Sequence, residues 1–114
     1  MNDRGSATVW SAMAMAALVA VTGVVLQLGA AVGARHRAEA AADLAALAAA
    51  AHAVEGPDAA CATAAVVTGG MHVTLASCLL EGWDAVVEVD AVGPAPIAAL
   101  GSAHARARAG PVQP

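Results

Sequence analysis

The sequence predicts an α+β fold: a long N-terminal helix, one short helix and a small three-stranded antiparallel sheet. Three observations carry this reading. No charged residue occurs between Arg4 and Arg35. The residues that follow stay helical in character until Gly56-Pro57. Beyond Gly69-Gly70 the apolar period changes from helical to alternating, in stretches separated by Gly- and Pro-containing turns. At 114 residues there is room for one domain and no more. The chain is 60% hydrophobic yet has two Trp and no Phe or Tyr, so its apolar content is mostly Ala and Val. A net charge of −4 with no basic patch argues against a nucleic-acid partner, which requires clustered positive charge.

The first element is the charge-free run from Gly5 to Ala34. At 1.5 Å per residue, about 20 helical residues cross the hydrocarbon core, so this run spans a bilayer with some to spare. A helix also satisfies its own backbone hydrogen bonds, which lipid cannot do. Residues 1–34 therefore read as a short tail and a transmembrane helix, with the lipid bilayer as partner. A cleaved signal peptide is the competing reading, but its apolar region runs only ~7–15 residues behind a clearly basic start. Here the start is MNDRG, one Arg offset by one Asp. Orientation stays open, because Arg35-His36-Arg37 makes the far flank the more basic one. Gly29 and Gly33 form a GxxxG pair that would let another helix pack closely; chance spacing in an Ala-rich segment explains it equally well.

Residues 35–114 read as one small domain outside the bilayer. From Arg35 to Glu55 the chain is Ala-rich and unbroken, so the membrane helix should continue into it. Ala40, Leu44, Leu47, Ala51 and Val54 alternate four- and three-residue steps and form the expected apolar seam. Gly56-Pro57-Asp58 stops one helix and starts another over 58–68, ending at Gly69-Gly70. Strands are expected at about 71–79, 83–92 and 102–109, with Glu81-Gly82 as the first turn and a Gly/Pro-rich loop before the last strand. In the second strand Ala85, Val87, Val89 and Ala91 share one face, while Asp84, Glu88 and Asp90 share the other. In the third, Ala103 to Ala109 alternate with His104, Arg106 and Arg108; if the last two strands pair antiparallel, the arginines can face Glu88 and Asp90 across the solvent side of the sheet.

Cys61 on the short helix and Cys78 on the first strand suit a disulfide, since a small Ala-rich domain buries little area and gains most from a crosslink. Closing such a loop contributes roughly 3 kcal/mol in the chain-entropy model. Two free thiols, or half of a metal site with His72 and His104, are the alternatives, although zinc usually takes four ligands in closer-spaced pairs. Strict alternation places Cys78 opposite Val73, Leu75 and Leu79, so the strand must end or bulge before it if that set is core. His36, His52, His72 and His104 lie far apart, and nothing assembles a nucleophile, a base and an orienting group. No catalytic, metal or cofactor site is expected.

Two stretches carry a family likeness. Arg4-Gly5-Ser6-Ala7-Thr8-Val9 resembles the RGSxxVE opening of the TadE/TadG-like pilus-assembly proteins, minor pseudopilins of tight-adherence (Flp-type) systems. The stretch RHRAEAAADLAALAAA, from Arg35 to Ala50, resembles their helix-end pattern. The paired Cys, the Gly82-Trp83-Asp84 turn and the terminal ARARAGP are similar to a short TadE-like subgroup encoded near secretion genes of high-GC bacteria. The resemblance implies a pilin-like fold, a cytoplasmic N-terminus and an extracytoplasmic C-terminal domain on a single-pass anchor. It implies prepilin-type cleavage between Gly5 and Ser6, and, as partners, other pilin-like subunits with a secretion platform and ATPase. The fifth residue after such a cut is Trp10, where pilins carry Glu. The expected function is an accessory subunit of a Tad/Flp-type pilus or a type II/IV-like secretion apparatus. The rival is a stand-alone small binding protein, secreted or tethered. A redox accessory is a weaker third option, because the cysteines are not CxxC.

Overall fold

The computed structural model describes residues 3–93, 98 and 101–112. Helix α1 runs without interruption over Asp3–Ala51, which at 1.5 Å per residue is about 73 Å of rod. A 3-10 turn at Ala53–Glu55 ends at Gly56, whose φ of +102° and extended ψ turn the chain back on itself. Helix α2 covers Pro57–Gly70, with Pro in its first turn and Asp58 among the free N–H groups there. Three strands follow: β1 at Thr74–Glu81, β2 at Asp84–Val92 and β3 at Ser102–Ala109. They form one antiparallel sheet in the order β1-β2-β3. The molecule measures 82 × 28 × 18 Å, because the first half of α1 projects from the domain that the second half helps build.

The architecture is the α+β one expected, with shifts at element ends. Helix α2 passes through Gly69-Gly70, and the left-handed residue that terminates it is His72, at φ 56°. The Val73 amide then donates to the Thr68 carbonyl and closes the helix end. This delays β1 to Thr74, three residues beyond the expected start, and carries it to Glu81. The first turn is Gly82-Trp83 rather than Glu81-Gly82, since Glu81 pairs with Asp84. Gly82, at φ +66°, occupies the first central position of this two-residue hairpin. The loop expected before β3 lies largely outside the described residues.

The register of β1 against β2 shifts between Leu75 and Ser77. This bulge puts Leu75, Cys78 and Leu80 against the core and leaves Leu79 exposed, which resolves the conflict of strict alternation. In β2 and β3 Ala85, Val87, Val89, Ala91, Ala105 and Ala107 are buried on one face, and the alternation is broken at Val86, which is buried on the other. Helices α1 and α2 cover that face.

The packing of α1 corrects one expectation. The buried positions are Ala38, Ala41, Ala42, Ala45, Ala46 and Ala49, not the seam that contains the leucines. Leu44 is 50% exposed, Leu47 60% and Val54 78%, and Ala40 and Ala51 are exposed beside them. The reason is the partner surface. The sheet presents Ala and Val to the helix, and methyl groups on both sides let the backbones approach closely, where a leucine would hold them apart. Such a core gains only about 0.8 kcal/mol per buried carbon.

Candidate membrane and assembly surface

From Gly5 to Gly33 the α1 side chains are exposed, except Ala30, which is half-buried. They include Val9, Trp10, Leu18, Val24, Leu26 and Val32. Burial against the domain begins at Ala34. This segment is long and apolar enough to cross a membrane, and none of it is buried in the protein. Starting from Trp10 as an interfacial anchor, about 20 residues of helix reach Ala30, close to where contact with the domain starts. A single apolar N-terminal helix of this kind fits a single-pass membrane anchor.

Gly5 and Ser6 lie in the first turns of α1 and are exposed. A Cβ added at Gly5, Gly29 or Gly33 would meet nothing within 4 Å. The face containing Gly29 and Gly33 is therefore open. From Gly33 the same side of the helix continues outward through Ala40, Leu44, Leu47 and Ala51, the seam that the core does not use.

Cys61 and Cys78 are joined by a disulfide, with Cα atoms 5.8 Å apart, tying α2 to the middle of β1. Free thiols and the half-site with His72 and His104 are thereby excluded. Among the described residues no group of His, Cys, Asp and Glu could hold a metal ion. The histidines are scattered as the spacing implied. His36 lies 3.7 Å from Glu39, His52 bonds the Ala48 carbonyl, His72 occupies the helix end, and His104 is on the sheet.

The outer sheet face carries a ladder of charge. His104 Nδ1 lies 2.6 Å from Asp90 Oδ1, its directly opposed neighbour. Arg106 faces Glu88 at 3.8 Å, and Ser77 donates to the same carboxylate. Arg108 reaches Asp84 at 2.8 Å and Glu81 at 2.9 Å across the hairpin base. The arginines were expected opposite Glu88 and Asp90; Arg106 does meet Glu88, His104 takes Asp90, and Arg108 takes the hairpin acids. The hydrogen bond that His104 donates to Asp90, aided by the charges of Asp90 and Glu88, raises the His104 pKa above its ordinary value. Asp84 and Glu81 hold Arg108 more firmly protonated still. These groups are exposed, so the ladder fixes register more than it adds stability.

One contact was not legible in the sequence. Arg37 Nη2 donates to the Val92 carbonyl at 3.0 Å, pinning the last residue of β2 to α1 as the helix enters the domain. The charges at the membrane flank suggested only topology.

The matched family now has a structural counterpart. Residues 5–52 match the model for Flp pilus-assembly TadE/G-like proteins. This segment is similar to the domain that family is defined by, and the match covers less than half of the chain. It comprises α1 from Gly5 onward together with the residue after it. TadE/G-like proteins are structural and accessory components of pilus assembly. The chain is also similar to the apoptosis inhibitor Rv3654c of Mycobacterium tuberculosis (strain ATCC 25618 / H37Rv), with 55% identity over 53 residues. That alignment spans 46% of this chain and 63% of the mycobacterial protein, just under two thirds of its length. No solved structure matches the chain.

Proposed function

We propose that the chain is a pseudopilin-like accessory subunit of a Tad/Flp-type pilus or a related secretion apparatus, anchored by residues 1–34 and presenting residues 35–114 outside the cytoplasm. It performs no chemistry of its own; its work is assembly. The observation that carries this reading is the outward seam of α1. Within the bilayer, lipid can cover apolar side chains, but Leu44 and Leu47 lie beyond the anchor, on the side turned away from the sheet. A long helix with an apolar stripe free on both sides of the membrane boundary is suited to packing beside other long helices, those of pilin-like subunits above all. Gly29 and Gly33 would allow close approach within the bilayer. The further partners of this reading are a secretion platform and an ATPase.

The disulfide supports the external placement, since such bonds persist outside the reducing cytosol. Cleavage between Gly5 and Ser6 belongs to the same reading, with Trp10 in place of the pilin Glu. That departure is the specific observation favouring the second reading, a small binding protein that works alone and uses the helix as a tether or export signal. The name of the mycobacterial relative sits more easily with it.

Exchange of Gly5–Ala34 for an unrelated membrane helix separates the two. The assembly reading expects partner co-purification and function to be lost; retention of both would favour the tethered binder.

A further inference from the structure

A cavity of about 350 Å³ opens where α1 meets the near end of the sheet, lined by Ala31, Ala34 and Arg35 on one side and Gly101, Ser102 and His104 on the other. It is far larger than the roughly 10–15 Å³ that a single water requires. Its position along the helix gives it meaning. If the hydrocarbon core spans about 20 residues from Trp10, it ends near Ala30, and the next turn lies among lipid headgroups. Ala31, Ala34 and Arg35 are that turn. One wall is apolar, and the first cation after the charge-free run stands at the mouth.

Arg35 pairs with Glu39 through Nε, at 3.0 Å, so its two terminal amino groups remain as donors, and the side chain is 76% exposed. The other nearby charges are already engaged. Arg37 holds the Val92 carbonyl, His36 lies by Glu39, and His104 binds Asp90 through Nδ1. We infer that this cavity seats the anionic phosphate of a membrane-lipid headgroup, gripped by Arg35 where α1 leaves the bilayer, with the acyl chains running down past Ala31. The inference rests on the reading that residues 1–34 span the membrane. It also gives the basic cluster beyond the helix a role on whichever side it lies.

The test uses the intact chain reconstituted into vesicles of phosphatidylcholine mixed with phosphatidylglycerol, then released for native mass spectrometry. The expected result is a single phosphatidylglycerol adduct favoured over phosphatidylcholine by about fivefold, the value of one cation near an anionic surface. Arg35→Gln should bring the two lipids to parity, Arg35→Lys should retain most of the preference, and Arg106→Gln, at the middle of β3, should leave it unchanged. Parity in the unaltered chain, or an undiminished preference in Arg35→Gln, would overturn the inference. So would thermal protection by inorganic phosphate equal to that by phosphatidylglycerol, which would make the free ion the ligand. Flotation with phosphatidylcholine vesicles alone separates the two claims: a chain that floats but shows no headgroup preference loses only this inference, and one that stays in solution loses the membrane reading as well.

Discussion

The two halves of α1 both carry small and large apolar side chains, but in opposite surroundings. Before Ala34, Ala16 and Ala20 lie exposed beside Leu18 and Val19. After it, Ala38, Ala42, Ala45 and Ala49 are fully buried while Leu44 and Leu47 face outward. The absence of charge marks the first half for lipid; which side chains are buried in the second depends on what lies opposite them. In the first half the large side chains matter and the small ones are incidental, since lipid accepts any apolar surface. In the second half the small side chains set the distance to the sheet, and the large ones are left for something outside the domain.

The comparison is broken most severely by putting charge into the first half. Val19→Arg should oppose insertion by about 3 kcal/mol and move chain from the membrane pellet to the soluble fraction on alkaline extraction. The same change at the exposed Val54, Val54→Arg, should have no such effect.

Opening the disulfide acts on the second half alone. The Cys61→Ser/Cys78→Ser pair, closing a loop with a sequence separation of 17, should lose roughly 3 kcal/mol of domain stability in denaturant melts. The helical signal of the membrane segment should survive where the sheet signal does not.

One substitution at two positions sharpens the contrast further. Ala45→Leu forces three carbons into a helix–sheet contact with no room, and should cost about 1–3 kcal/mol. Ala20→Leu adds the same carbons to an open face and should leave domain stability unchanged. Thermal unfolding followed by sheet-specific circular dichroism reads both.

The fold class, the order of elements and the inner and outer faces of β2 and β3 were legible because period-2 alternation is strong where one face is wet. The Cys61–Cys78 pairing was favoured for the same domain. The buried face of α1 was not legible. Its alanines recur with helical period at 38, 42, 45 and 49, but alanine also fills the positions between them, so the pattern has no contrast. The leucines stood out and drew the core to the wrong side. The end of α2 was misjudged because Gly69-Gly70 is a stop signal in most contexts, whereas here the backbone ladder continues to Met71 and the left-handed position falls to His72. The Arg37–Val92 contact spans 55 residues and leaves no local trace.

The smallest expected effect is on pH. His104 has a raised pKa in the folded chain, so its pairing with Asp90 stabilises fully below the unfolded value of about 6.5 and is lost as pH rises through the folded value. His104→Gln should flatten the stability curve between mildly acidic and neutral pH, with little change above. Denaturant midpoints measured across that window would show it.

The two tryptophans allow a direct test of the division between the halves. Trp10 stands at the outer end of the membrane segment, and Trp83 at the tip of the β1–β2 hairpin, a strand length of about 27 Å beyond the end of the sheet nearest the bilayer. In vesicles of brominated lipid, the Trp83→Phe variant should lose most of its remaining fluorescence, and the Trp10→Phe variant should keep its own. An unquenched Trp10, or equal quenching of both, would contradict a molecule with one half in lipid and the other folded clear of it.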